Sequence, residues 1–153
     1  MTESTILQRI QTDMTAAMKA QDADTLSTLR MLKASLMEAK TKKPRDEQLS
    51  ADEEIEVVQR YAKKRREAIE EFRRVGRTDV VAREEAEIEV AMRYLPKALS
   101  EDELAAIVRE AIAKTGAASS KDMGKVIGVV MAQVKGKAEG GTVSRLVKQA
   151  LGA

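Results

Sequence analysis

Apolar residues recur along this chain at spacings of three and four, which is the period of an α-helix that packs on a core. No stretch alternates with the period of two that a half-buried strand requires. The pattern therefore predicts an all-α protein. Its helices are expected to begin near Glu3, Asp24, Ser50, Thr78, Ser100, Ser120 and Thr142.

Polar residues and glycines mark the predicted helix ends. Ser50 and Ser100 are each followed three residues later by a glutamate, which is the capping-box signature of a helix N-terminus. Gly76 and Gly116 suit the left-handed position that ends a helix. The other predicted N-caps are Asp24, Thr78, Ser120 and Thr142.

The chain is predicted to contain two units that meet at the corner 94–97, where Pro96 stops a helix. Residues 1–95 are expected to form an N-terminal four-helix hairpin unit, and residues 96–153 a C-terminal three-helix bundle. A charged linker containing Pro44 separates the second and third helices. The apolar stripe of the first helix is predicted to be Ile6, Ile10, Met14 and either Ala17 or Met18.

Composition excludes several kinds of chemistry. The chain has no histidine, cysteine or tryptophan, so it has no Ser-His-Asp or Cys-His mechanism, no disulfide and no ordinary zinc site. No cofactor, metal ligand or catalytic residue is predicted. The polar N-terminus is unlike a signal peptide, and no apolar run reaches the roughly 20 residues of a membrane span. We therefore expect a cytoplasmic protein without a membrane partner.

Positive charge is concentrated near the C-terminus. The net charge of the whole chain is +2, whereas residues 115–153 carry six cations and two anions, a local charge of +4. A basic segment of this kind is compatible with an anionic partner such as RNA.

Two glycines lie inside the apolar pattern of the predicted helix 122–134. Glycine in a helix interior costs about 1 kcal/mol relative to alanine. On a helical wheel Gly124 and Gly128 fall opposite the apolar stripe, together with Lys121, Lys125, Ala132 and Lys135. A phosphate backbone could lie close to such a surface. Close packing of another helix is the alternative interpretation of the same pattern.

The segment that follows contains Lys135, Gly136 and Lys137, and it leads into the last predicted helix. Backbone N–H groups at that helix start, with two lysines nearby, can hold a phosphate. A plain flexible turn is the alternative. The segment is not a P-loop, because the spacing to Lys and Ser/Thr is wrong and no strand precedes it.

Two further candidates have simpler interpretations. Ser120 beside Lys121 suggests a Ser-Lys nucleophile, but an N-cap explains the serine better. The basic run 63–66 could contact RNA, although its neighbouring glutamates favour a solvated helix face.

Several short motifs, in order along nearly the whole chain, resemble the YqeY family. From the N-terminus onward they include Asp13-Met14, the segment 59–67, Tyr94-Leu95-Pro96, the segment 122–128 and Val134-Lys135-Gly136-Lys137-Ala138. This family shares a homologous domain with the tail of the GatB subunit of tRNA-dependent amidotransferases. Where GatB tails commonly continue Ala-Asn-Pro, this chain has Ala138-Glu139-Gly140-Gly141.

The resemblance implies a non-catalytic accessory protein that binds tRNA or another structured RNA, beside an amidotransferase or another tRNA-handling complex. The carbon–nitrogen ligase activity, with glutamine as amido-N-donor, would belong to the complex. The alternative function is a protein–protein adaptor whose glycine-rich helix face docks a partner helix. The residues expected to contact RNA are Lys121, Gly124, Lys125, Gly128, Lys135, Gly136, Lys137, Arg145 and Lys148.

Overall fold

The computed structural model describes residues 3–152, so that Met1, Thr2 and Ala153 lie outside the described residues. Within this range the regular structure is entirely helical, which confirms the all-α prediction. Two single 3₁₀ turns, Thr78–Val80 and Ser120–Asp122, precede α4 and α6. The α-helices are α1 (Ile6–Lys19), α2 (Ala23–Thr41), α3 (Ala51–Arg74), α4 (Val81–Met92), α5 (Glu101–Thr115), α6 (Met123–Val134) and α7 (Gly140–Ala150).

The chain divides into two compact units, Met1–Leu95 and Pro96–Ala153. The N-terminal unit contains α1 to α4, and the C-terminal unit contains α5 to α7. Each unit has its own hydrophobic core. The core of the N-terminal unit is built around Ile6, Ile10, Ala17, Leu29, Leu32, Leu36, Val57, Val58, Tyr61, Val90, Ala91 and Tyr94.

The first helix resolves one open choice in its apolar stripe. Ala17 is buried, whereas Met18 is 55% exposed. Thr5, not an earlier residue, is the N-cap of this helix, and Thr5 and Gln8 form a capping box. α1 therefore begins at Ile6, three residues after the predicted start at Glu3.

The serine-headed capping boxes are confirmed at both predicted sites. Ser50 accepts from the Glu53 backbone N–H, and Ser100 accepts from the Glu103 backbone N–H, each at 3.1 Å. In return, the carboxylate of each glutamate accepts a hydrogen bond from the backbone N–H of its serine. Gly116 ends α5 in the left-handed conformation, with φ +67°.

The other predicted N-caps are wrong. Asp22, not Asp24, caps α2 by accepting from the Thr25 N–H at 3.1 Å. Thr78 and Ser120 begin 3₁₀ turns that lead into α4 and α6, so neither is the N-cap of its helix. α7 begins at Gly140, two residues before Thr142. In each case a residue type that favours the N-cap position lies close to the start of the helix, but it does not occupy the N-cap position.

Buried polar groups tie the helices of the N-terminal unit together. Glu54 on α3 is 3% exposed, and its carboxylate accepts from the backbone N–H groups of Ile6 at 3.2 Å and Leu7 at 2.9 Å. These donors belong to the first turn of α1, which has no intrahelical acceptor for them. A side chain of one helix therefore caps another helix.

A second tie holds the end of this unit against α1. The Tyr94 hydroxyl donates to the Asp13 carboxylate. Arg9 lies over the Tyr94 ring, 5.1 Å from its centroid, and donates to the Arg93 carbonyl at 3.1 Å. Burial first, and then the hydrogen bond to Asp13, raises the pKa of Tyr94. The chain segment after α4 is thus fixed to α1 by side chains.

Candidate nucleic-acid interface

One face of α6 anchors the C-terminal unit. Val126, Val130 and Val134 recur every four residues and are at most 1% exposed. Their partners in the core are Leu104, Val108, Ala111, Val143 and Val147 from α5 and α7. The buried valine stripe fixes the rotation of α6 about its axis and so determines which residues face outward.

The outward side of α6 is the face predicted from the helical wheel. Gly124, Lys125, Gly128 and Ala132 are all exposed, and we call these four residues the glycine face. Apart from its two chain neighbours and the nearby backbone of α6 itself, a Cβ atom added to either glycine would meet no atom within 4 Å. The fold of the described chain therefore does not require glycine at these positions. Lys121 lies in the preceding 3₁₀ turn and is also exposed.

The Lys135–Lys137 loop leaves α6 in a defined conformation. Lys135 is the C-cap of α6, and Gly136 follows with φ +77°, a region that L side chains rarely adopt. The Lys137 N–H donates to the Val134 carbonyl at 2.7 Å, and the Lys137 carbonyl accepts from the Leu99 N–H at 2.9 Å. The backbone of the loop is therefore held in place, while the side chains of Lys135 and Lys137 are exposed.

The start of α7 is less suited to a phosphate than the sequence predicts. The helix begins at Gly140 without a side-chain cap hydrogen bond, and the Val143 N–H makes its first backbone bond, to the Glu139 carbonyl at 3.1 Å. N–H groups ahead of Val143 can bind an anion. However, the N-cap residue is Glu139, whose negative charge opposes an anion at this end.

The two basic residues of α7 that are predicted to contact RNA differ in their interactions with the rest of the protein. Arg145 forms an ion pair with Glu101, in the first turn of α5. A phosphate contact by Arg145 would require this pair to open. Lys148 is exposed in the last turn of α7. Lys121 is thus exposed in the turn before α6, Lys125 belongs to the glycine face, and Lys135 and Lys137 lie on the loop that ends the same helix.

The basic run on α3 has a different role from the one its sequence indicates. Lys63 and Lys64 are exposed, but Arg65 turns toward α4 and pairs with Glu84 and Glu87 at 3.5 and 3.8 Å. Sequence reasoning missed this cluster. The available signal was the position of Glu87, which lies three and four residues before the buried Val90 and Ala91 and therefore on the core side of α4.

No other chemical site emerges from the described part of the chain. Residues 3–152 contain no group of three or more His, Cys, Asp or Glu side chains that could hold a metal ion. No helix within that range is both long and apolar enough to cross a membrane.

Comparison with known proteins agrees with this description. Residues 7–151 match the family described as Yqey-like protein. A relative from Pyrenophora tritici-repentis, called altered inheritance of mitochondria protein 41, mitochondrial, is 31% identical over 157 aligned residues, which cover 99% of this chain and 83% of the relative. An uncharacterized protein of Schizosaccharomyces pombe is 33% identical over 82 residues, which cover 53% of this chain and 64% of that protein.

The fold and the surface define a helical protein of two units with a lysine-bearing, glycine-containing helix face in the second unit. The chain belongs to the YqeY-like protein family, whose match extends over almost its entire length. The resemblance deduced from the short motifs is thereby confirmed.

Proposed function

We propose that this protein is a non-catalytic accessory protein that binds tRNA or another structured RNA through its C-terminal unit. The observation that carries the proposal is the open glycine face of α6. Gly124 and Gly128 belong to α6, and beyond the adjoining residues and backbone of that helix no protein atom lies within 4 Å of a Cβ position at either glycine.

The two glycines destabilise the helix that contains them. Each costs a helix about 1 kcal/mol relative to alanine, and packing within the unit does not offset that cost. A partner that approaches the helix backbone closely would make the absence of side chains useful. Lys125 on this face and Lys121 in the turn before it are both exposed, and on this proposal they meet a phosphate backbone at its edges.

The composition of the C-terminal unit favours recognition of an RNA backbone over recognition of bases. All three aromatic residues, Tyr61, Phe72 and Tyr94, precede residue 96. Proteins that bind single strands commonly stack bases on aromatic side chains, and this unit has none. Contacts to the phosphates and shape of a folded RNA are therefore the expected mode.

The family relationship supports the choice of tRNA and of a role beside an amidotransferase or another tRNA-handling complex. On this proposal the carbon–nitrogen ligase activity belongs to the complex, and the chain supplies binding only. We propose a cytoplasmic location. The mitochondrial designation in the name of the Pyrenophora relative belongs to that protein.

The decisive experiment is a tRNA titration at two salt concentrations. It compares the wild-type chain with the triple variant Lys125→Ala/Lys135→Ala/Lys137→Ala. We expect wild-type affinity to fall steeply with salt, because phosphate binding releases counterions. The triple variant should bind more weakly at low salt, and its log–log salt slope should be shallower by roughly 2–3.

The matched control removes three exposed cations from the N-terminal unit, in the variant Lys19→Ala/Lys42→Ala/Arg45→Ala. It changes net charge by the same amount and should leave tRNA affinity close to that of the wild type. Absence of wild-type binding at low salt, or equal binding by the two triple variants, would refute the RNA proposal.

A second candidate function is a protein–protein adaptor that docks a partner helix on the same face. The observation in its favour is Val129, a large apolar side chain that is 39% exposed beside Gly128. A docked helix would bury Val129, so Val129→Lys should abolish partner binding. For RNA binding the same substitution adds a cation and should leave affinity unchanged or increased.

A further inference from the structure

A charged cluster lies between α3 and α4 of the N-terminal unit. Arg65 Nη1 is 3.5 Å from Glu84 Oε2 and 3.8 Å from Glu87 Oε2. The same guanidinium lies over the Tyr61 ring, 5.5 Å from its centroid. One cation therefore serves two carboxylates, and with both carboxylates ionised the cluster carries one uncompensated negative charge.

This cluster is largely, but not fully, shielded from solvent: the side chains of Arg65 and Glu84 are 27% and 15% exposed. Glu87 is only 9% exposed. Arg65 Nε, Glu84 Oε2 and Glu87 Oε2 are buried atoms for which the described residues supply no hydrogen-bond partner. Burial of a charge without full pairing is costly. When two carboxylates share a site, that cost is reduced if one of them holds a proton. Arginine does not release its proton in proteins, so the adjustable charge is on a glutamate.

We propose that the α3–α4 contact is a proton-sensitive joint: Glu87 takes up a proton at a higher pH than an ordinary glutamate, Arg65 is left to pair with Glu84 alone, and the packing of the two helices is strengthened. Burial first, and then the charge of Glu84, raises the pKa of Glu87 from its ordinary 4.5, while the charges of Arg65 and Arg83 and a hydrogen bond with the Tyr61 hydroxyl oppose this shift. A carboxyl whose folded-state pKa is raised stabilises the fold fully below the unfolded pKa. That stabilisation is lost as pH rises through the folded pKa.

Tyr61 is a further titratable group at the joint. Burial, followed by the charge of Glu87, raises the pKa of Tyr61 to about 12, so its hydroxyl stays neutral. From α2 the contact at this point is the Met31 sulfur, 3.9 Å from the Tyr61 hydroxyl. The 3₁₀ turn before α4 carries Asp79, which pairs with Arg77 at 3.0 Å.

The composition of the chain makes the joint measurable. Without histidine or cysteine, no side chain of ordinary pKa changes charge between about pH 5.5 and 8. Tyr61 and Tyr94 both belong to the N-terminal unit, and the chain has no tryptophan. Tyrosine fluorescence of the full chain therefore reports on this unit alone.

The test is urea unfolding of the full chain followed by tyrosine fluorescence at several pH values from 8 down to 5.5. We expect the wild-type midpoint to rise as pH falls. Glu87→Gln and Glu84→Gln should each flatten this dependence, because one neutral amide relieves the repulsion. The control Glu89→Gln, an exposed carboxylate on the same helix, should keep the wild-type dependence.

A wild-type midpoint that is constant or falls over this range would overturn the proposal. So would a pH dependence that persists unchanged in both Gln variants. If the variants fail to fold, a carboxyl carbon NMR titration of the wild-type chain decides the matter. The titration should reveal one glutamate carboxyl resonance whose pKa lies above the ordinary range for glutamate. The absence of such a resonance would also overturn the proposal.

Discussion

The N-terminal unit buries charged and hydroxyl groups beside its apolar core, whereas the buried core of the C-terminal unit is apolar throughout the described chain. Thr28, Glu54 and Glu87 are the buried polar residues of the described chain, and all belong to the first unit. The second unit rests on closely spaced valines, leucine and alanine. The unusual feature of the second unit lies on its surface, where two glycines expose helix backbone.

The two units differ in where their distinctive residues act. In the N-terminal unit, side chains from one helix satisfy groups on another, so the polar ties fix which helices pack together. In the C-terminal unit the valine stripe fixes the rotation of α6 and leaves the opposite face open. The first unit therefore uses its special residues for its own assembly, and the second presents them outward.

The largest effect is expected when the hydrogen bonds between two helices of the N-terminal unit are removed. Glu54→Ala removes the acceptor of the Ile6 and Leu7 N–H groups. We expect the free energy of unfolding to fall by about 2–3 kcal/mol, because the buried donors lose their partner. Urea unfolding detected by tyrosine fluorescence measures the loss.

The control for this substitution is Glu56→Ala, on an exposed position of the same helix, which should change the stability by less than about 0.5 kcal/mol. If both variants shift the transition equally, Glu54 does not act as a cap for α1.

A smaller effect, of opposite sign, is expected on the glycine face. Gly128→Ala should stabilise the C-terminal unit by about 1 kcal/mol, since the added methyl group meets open space and alanine favours the helix. At the same time tRNA affinity should fall, because the methyl group holds the RNA backbone away from the helix. Thermal unfolding by circular dichroism and a tRNA titration measure the two changes.

Gly116→Ala provides the contrast, because φ there is +67° and alanine should destabilise the unit by about 1 kcal/mol. A Gly128→Ala protein that is more stable and binds tRNA as well as the wild type would show that RNA does not use the glycine face.

The smallest effect concerns the ion pair between Arg145 and Glu101. Both side chains are largely exposed, at 47% and 65%, so Arg145→Ala should change the free energy of unfolding by well under 1 kcal/mol. Its effect on tRNA affinity should be smaller than that of Lys125→Ala, because Glu101 already engages the arginine.

The complementary variant is Glu101→Gln, which releases Arg145 and should raise tRNA affinity. If Glu101→Gln leaves the affinity unchanged while Arg145→Ala lowers it as much as Lys125→Ala, the ion pair does not compete with RNA.

Much of the local structure was predictable. Helix periodicity, the two serine capping boxes and the orientation of the glycine face all depend on residues within four positions of one another. The errors cluster at helix entries that lack a serine capping box. At Thr78 and Ser120 a 3₁₀ turn leads into the helix, and at Thr142 the helix begins two residues early. The backbone conformation at the start of each of these helices depends on how the neighbouring segments pack, so a capping residue alone does not determine it.

The helical character of the chain, the positions of most apolar stripes and the outward orientation of Gly124 and Gly128 could therefore be read from the amino-acid sequence. These features follow from repeats of three and four residues. The capping of α1 by Glu54, 48 positions away, and the pairing of Arg65 with two glutamates of α4 became visible in the folded protein alone. The physical reason is that partner choice depends on which helices pack side by side, and burial then makes an unpaired charge too costly to leave alone.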